Sequence, residues 1–220
     1  MGRKIPFTAQ TLTPLPIISI IHAFRLVKAS AQLDNRGRLL IRFGRGPGNR
    51  PGEFARKNKA MKIAILTVSD KGARGEREDR SGPAIREMME AAGAEIVRYR
   101  VVPDEPDLIR AALVEWSDEG VDLILTTGGT GFGPRDRTPE ATRAVIEREA
   151  PGIGEAMRRA GMEKTPMAML SRAVAGIRKS TLIINLPGSE KGVRESLGAV
   201  MAALPHGIEI LKGTAGECGR

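Results

Sequence analysis

The chain has 220 residues, enough for one α/β domain and an appendage, and its net charge of +9 is segregated. Residues 1–60 carry twelve Lys and Arg against Asp34 and Glu53, which leaves 23 of the 35 bases and 24 of the 26 acids to residues 61–220. Aromatic residues (3%) are too scarce for a base-stacking platform, and the single cysteine, Cys218, closes no disulfide within the chain. No apolar run is long enough to span a bilayer, and His22 and His206 form no metal-ligand cluster with Cys218. Together these features exclude a disulfide scaffold and a membrane-spanning protein. They fit a reducing, cytoplasmic compartment, and leave a nucleic-acid reading resting on the basic arm alone.

Residues 1–60 show no alternation of strands and helices. An apolar patch, Leu15 to Ile21, is followed by an Arg/Gly/Pro stretch whose composition favours disorder. Residues 1–60 therefore read as a disordered basic extension, as an arm for an acidic partner, or as an upstream over-call with Met61, which precedes the first clear strand, as the natural start; the segment is expected to be dispensable for the chemistry.

From Lys62 the pattern is regular. Ile63 to Val68 reads as a buried strand, Ser69 to Arg80 as a polar loop, and a helix capped by Ser81 closes at Gly93. Ala94 to Val102 reads as the next strand, and Asp104 is placed to cap a helix running to Glu119 and ended by Gly120. Val121 to Thr126 is a third strand. After a glycine loop, Thr138 and Pro139 begin another helix, Thr138 as a side-chain cap. Helical segments follow near 154–160 and 166–172, then a strand from Thr181 to Leu186 and a final helical region after Pro187-Gly188-Ser189. Strands alternating with helices predict a three-layer, doubly wound and mainly parallel α/β sheet over 61–213, with 214–220 as a flexible tail. Ligands gather at the carboxyl ends of such strands: here Ser69-Asp70, Pro103-Asp104, Gly128–Gly131 and Pro187-Gly188.

The stretch TTGGTGFGPRDRTPEA, Thr126 to Ala141, carries the strongest chemical signal. A strand, a loop containing Gly128, Gly129, Gly131 and Gly133, and a helix start make a phosphate site of backbone N–H groups. Thr127 and Thr130 add hydroxyls, and Arg135 and Asp136 add a cation and a carboxylate. Asp136 reads either as a loop carboxylate paired with Arg135 or Arg137, or as a Mg2+ ligand. Asp104 reads as a helix cap, as a crevice carboxylate, or as both. In LSRAVAG, Ser171 and Arg172 can fix a phosphate, or can simply end a helix in solvent. In LPGSEKG, Ser189 reads as a cap beside a turn that either is plain or faces an anion. Met88, Met89, Met157, Met162, Met167 and Met169 read as core filler.

In this order these segments resemble the molybdopterin adenylyltransferases of the Mog/MoaB type, which include corresponding domains of gephyrin and of the plant molybdenum-insertion protein. The matching residues are AILTVSD (Ala64–Asp70), DRSGP (Asp79–Pro83), VPDE (Val102–Glu105) and TTGGTGFGPRDRTPEAT (Thr126–Thr142). PGIGEAM (Pro151–Met157) and TPMAMLSRAVAGIRKSTLIINLPG (Thr165–Gly188) complete them. The resemblance covers about Lys62 to Lys212 and leaves residues 1–60 without a counterpart. It implies transfer of AMP from Mg-ATP to the terminal phosphate of molybdopterin, with ATP as co-substrate and Mg2+ as cofactor. It also implies a homotrimer and contact with a molybdenum-insertion enzyme. By resemblance Asp104 and Asp136 are the catalytic, metal-binding aspartates. Thr127, Gly128, Gly129, Thr130, Gly131, Arg135, Ser171, Arg172, Pro187 and Gly188 bind substrate, and Ser69 and Asp70 contact the nucleotide. A non-catalytic molybdopterin-binding or scaffold paralogue is the alternative.

Overall fold

The computed structural model describes residues 29–33, 39–43 and 60–215, and the chain divides into two units, Met1–Lys57 and Asn58–Arg220. In the first unit β1 (Ala29–Leu33) pairs antiparallel with β2 (Leu39–Phe43), two strands in a segment where the sequence pattern gave none. The Leu15–Ile21 patch, His22 and Cys218 lie outside the described residues.

The second unit is built on a six-stranded sheet. Its strands are β3 (Lys62–Val68), β4 (Glu95–Val102), β5 (Leu123–Thr127), β6 (Arg148–Glu149), β7 (Ala175–Arg178) and β8 (Thr181–Leu186). The spatial order is β4-β3-β5-β8-β7-β6. The first four strands run parallel, while β7 and β6 form an antiparallel edge. The sheet is therefore mainly parallel, as expected.

β3, β5 and β8 are buried almost throughout because helices cover both faces. Alternate residues diverge to the two sides. Ile63, Ile65, Leu123, Leu125, Leu182 and Ile184 face one core, with α2 (Ser81–Ala91), α5 (Pro151–Met162), α6 (Glu190–Val200) and α7 (Leu204–Leu211). Ala64, Leu66, Ile124 and Ile183 face the other, with α3 (Pro106–Asp118) and α4 (Thr138–Arg143). Trp116 and Leu113 are fully buried in that second core. A short helix α1 (Asp70–Ala73) follows β3, and the residues expected as a helix near 166–172 form a 3-10 turn, Pro166–Leu170. Among the methionines, Met89 and Met157 are core residues, but Met162, Met167 and Met169 are exposed and fill no core.

Three expected caps resolve differently from one another. Ser189 caps α6 through a 3.1 Å bond from the Gly192 N–H. Ser81 does not cap α2: Asp79 accepts the N–H groups of Ser81 and Gly82 at 2.9 and 3.0 Å, and the Ser81 hydroxyl donates to the same carboxylate. A carboxylate two residues upstream is the stronger acceptor and takes the role. Thr138 is the first residue of α4 rather than its cap, and its hydroxyl donates to the Gly128 carbonyl at 2.9 Å.

Candidate active site

Parallel pairing brings four strand ends together. Val68 lies opposite Val102, Thr67 opposite Thr127, and Thr127 opposite Leu186. The segments that follow them, Ser69-Asp70, Pro103-Asp104, the glycine loop and Pro187-Gly188, therefore share one edge of the sheet, where a doubly wound fold opens its ligand crevice.

The glycine loop leaves β5 in a left-handed turn, with Gly128 at φ 97° and Gly129 at φ 62°. A side chain on Gly128 would collide with the carbonyl oxygen of Val68, and one on Gly129 with the Thr138 hydroxyl. The loop is tied on both flanks: Thr127 donates its hydroxyl to the Pro187 carbonyl at 2.7 Å, and the Thr138 N–H donates to the Gly129 carbonyl at 3.2 Å. Thr127 and Thr138 are fully buried, so these hydroxyls hold the loop rather than meet a ligand. Gly188 packs directly on the Gly128 backbone.

Asp104 does not cap its own following helix, whose first residues make no side-chain cap bond. Its Oδ2 instead accepts the Asp70 N–H at 2.8 Å, while the Asp104 N–H donates to Asp70 Oδ1 at 3.1 Å. Residues Pro103 to Glu105 turn the chain toward α1, so the carboxylate meets that helix's first N–H instead of its own. This reciprocal pair locks the ends of β3 and β4 together. Ser69 caps α1 by accepting the Gly72 N–H at 3.1 Å, and its own N–H donates to the Val102 carbonyl at 2.9 Å, so it ties the end of β3 to β4.

The second Asp104 oxygen, Oδ1, lies beside Gly129, in space that only a residue without a side chain leaves open, and accepts no hydrogen bond among the described residues. Asp136 is arranged in the same way. Its Oδ2 accepts the Gly133 N–H at 2.8 Å, with Gly131 and Gly133 leaving room around the carboxylate, and Oδ1 accepts none among the described residues. Burial pushes the Asp104 carboxyl above the usual carboxylate range. The Asp70 N–H opposes this, and the neighbouring charges of Asp70 and Asp136 reinforce it.

Arg135 balances these acids. It donates to both Asp70 oxygens at 2.6 and 2.9 Å and to Glu105 at 2.8 Å. The guanidinium holds Asp70 below the ordinary carboxylate range, helped by the Asp104 N–H. The LSR segment joins from the other side: the Arg172 N–H donates to the Thr130 carbonyl at 2.9 Å, and its side chain reaches Gly131. Ser171 lines an adjoining pocket of about 350 Å³ with Arg143 and Arg158. Thus Ser69, Asp70, Asp104, the glycine loop, Arg135, Asp136, Arg172, Pro187 and Gly188 meet at one crevice, with Ser171 beside it. Glu105, Glu140 and Asp79 were not singled out from the sequence. Apart from Ser81 and Gly82 beside Asp79, their partners lie 12 to 32 residues away, and no local pattern marks those contacts.

Residues 64–206 match the family described as "Probable molybdopterin binding domain". The chain belongs to the molybdopterin adenylyltransferase family, of the Mog/MoaB type. Within that family it is 44% identical over 158 residues to molybdopterin adenylyltransferase of Helicobacter pylori, covering 70% of this chain and 90% of the relative. Gephyrin of Dictyostelium discoideum is 44% identical over 169 residues, but the chain spans only 24% of that longer protein. Among solved structures, the molybdopterin biosynthesis enzyme MoaB of Thermus thermophilus is 58% identical, with a TM-score of 0.67 over 70% of this chain and 97% of that one. The family is one of enzymes of molybdenum cofactor biosynthesis. No helix among the described residues is long and apolar enough to cross a membrane.

Proposed function

We propose that this chain transfers AMP from Mg-ATP to the terminal phosphate of molybdopterin, releasing pyrophosphate. The observation that carries the reading is the pair of half-committed carboxylates, Asp104 and Asp136, beside a glycine loop at the strand ends. Family membership supplies the substrate class.

Mg2+ suits this donor set. Asp104 and Asp136 each keep one oxygen without a hydrogen bond, and carboxylate oxygens are the ligands this hard cation selects. Among the described residues no third metal-binding side chain joins them. That is the usual arrangement for Mg2+ held by one or two carboxylates, with the remaining positions left to phosphates and water. When bound, Mg2+ supplies charge neutralisation on the polyphosphate.

The chain's own residues position the reactants. Backbone N–H groups at Gly129 to Gly131 cradle phosphate, the Gly128 N–H being given to the Leu186 carbonyl at 3.3 Å, with Thr127 and Thr130 shaping the loop, and Ser69 and Asp70 border the nucleotide. Arg135 is available to phosphate oxygens once they compete with its carboxylate partners. Ser171, Arg172, Pro187 and Gly188 border the pterin side. A phosphate oxygen of molybdopterin attacks the α-phosphorus of ATP, an α-phosphorus–oxygen bond forms, and the bond to pyrophosphate breaks. No protein nucleophile is required, and positioning with electrostatic stabilisation carries the rate. We further propose a cytoplasmic homotrimer that hands its product to a molybdenum-insertion enzyme. Incubating the full chain with molybdopterin and Mg-ATP tests the reaction: adenylylated pterin by mass is expected. Its absence, with both substrates bound, would favour the non-catalytic paralogue.

A further inference from the structure

Arg172 lies in the segment assigned to the pterin side, yet its side chain turns back into the protein. Its Nε donates to the Gly131 carbonyl at 2.7 Å, one terminal amine donates to the Asp136 carbonyl at 2.5 Å, and the other meets the Glu140 carboxylate. Its own N–H donates to the Thr130 carbonyl at 2.9 Å. These attachments fall at both ends of the stretch Thr130 to Asp136, the stretch that carries the Asp136 carboxylate. The segment is itself anchored from behind: Arg158 of α5 donates to the Ala173 carbonyl at 2.9 Å. Glu140, on the first turn of α4, fixes the plane of the Arg172 guanidinium.

A planar guanidinium bonded along three edges to three separated acceptors is a rigid brace. Arg135, by contrast, donates through Nε and one terminal amine only and keeps the other without a partner among the described residues, as a group that follows a phosphate requires. We infer that Arg172 is a positioning residue: it fixes the glycine loop from Thr130 to Asp136 and thereby aims the free oxygen of Asp136 into the crevice. Glu140 is its orienting partner. This inference rests on the AMP-transfer reading for its catalytic consequence, but not for its structural one. Lysine keeps the charge but has one nitrogen, which cannot bridge Gly131, Asp136 and Glu140 together.

The test uses the full chain with Arg172→Lys and Glu140→Gln. Amide hydrogen exchange of the protein alone is measured first. Faster exchange over residues 130–136, with β5 unchanged, is expected in Arg172→Lys, and a smaller acceleration in Glu140→Gln. In turnover, Arg172→Lys should lower kcat about 10- to 100-fold, the range for outer-shell partners of a metal ligand, and raise the Mg2+ concentration required. The KM for molybdopterin should stay within about twofold, because ground-state contact with the pterin is untouched. Glu140→Gln should show the same signature more weakly, and serves if the lysine variant fails to fold. A lysine variant that keeps its kcat but binds molybdopterin poorly would overturn the inference, since charge alone would then be gripping substrate. So would unchanged loop exchange in both variants. A loosened loop in Arg172→Lys together with no product from the unaltered chain would sustain the brace and overturn the transfer reading.

Discussion

Two groups of carboxylates in this domain are built in opposite ways. Asp79, ahead of α2, accepts five hydrogen bonds: from the hydroxyls of Thr67 and Tyr99 at 2.5 Å each, from the Ser81 hydroxyl at 2.8 Å, and from the N–H groups of Ser81 and Gly82. Both oxygens are saturated. Burial alone would raise this carboxyl, but the Thr67 and Tyr99 hydroxyls and the Gly82 N–H outweigh it and hold the group low. Asp104 and Asp136 each spend one oxygen on a backbone N–H and keep the other open, and Asp104 sits high. A saturated carboxylate joins elements, here β3, β4 and α2. A half-saturated one keeps an oxygen that can still accept a cation or donor, and at Asp104 burial holds the carboxyl high while it waits.

Removing the open oxygens should have the largest effect. Asp136→Asn and Asp104→Asn should each lower kcat by at least about 100-fold, comparable to losing one preorganised electrostatic contact. Asp104→Asn should leave the melting temperature unchanged or higher. The amide oxygen still accepts the Asp70 N–H, and the raised carboxyl contributes stability only below its ordinary range, lost as pH rises through its folded value. A melting temperature that falls as far as the activity would erase the distinction between the two groups.

Asp79→Asn should do the reverse. An amide nitrogen facing Thr67 and Tyr99 cannot accept their hydroxyl protons, which lose their acceptor at a cost of about 1–3 kcal/mol, with kcat little changed. The lowered Asp79 carboxyl contributes stability above the ordinary carboxylate range and loses it as pH falls through its depressed value. Stability followed against pH should therefore separate the two variants by sign: Asp79→Asn removes a contribution that is lost on acidification, and Asp104→Asn removes one that is lost as pH rises.

Tyr99 sharpens the same comparison with a smaller effect. It is the only tyrosine in the chain, so its absorbance titration reports one group. Burial, the bond to Asp79 and the Asp79 charge push its hydroxyl up to about 12. Its contribution to stability is complete below the ordinary tyrosine value and fades as pH rises toward about 12. Tyr99→Phe should cost about 1 kcal/mol, measured by denaturant unfolding. The smallest effect is expected from removing residues 1–60. Net charge should fall from +9 to −1 and retention on a cation exchanger should drop, with turnover unchanged.

Much of this was legible in the sequence wherever the controlling interactions are local. The buried runs of β3, β5 and β8, the glycine loop between Thr126 and Thr138, and the Ser189 cap follow from residues close in the chain. What escaped depends on distant partners. Asp104 reads as a cap for the helix beside it, but its N–H partner is Asp70, 34 residues earlier. Arg172 reads as a ligand arm, but its side chain closes on Gly131, 41 residues away. Asp79 sits inside a recognisable motif, yet nothing local marks it as the junction of three elements. The two-residue strand β6 is too short to carry any alternation, so the antiparallel edge it forms with β7 left only a weak trace.

The most direct measurement is pyrophosphate release at limiting Mg2+, with molybdopterin and ATP saturating, for the unaltered chain, Asp136→Asn and Asp79→Asn in parallel. The account predicts turnover in the unaltered chain, near-complete loss in Asp136→Asn with its melting temperature intact, and turnover close to unaltered in Asp79→Asn below its lowered melting temperature. Full turnover by Asp136→Asn would contradict it, since the open carboxylate oxygen would then have no part in the chemistry.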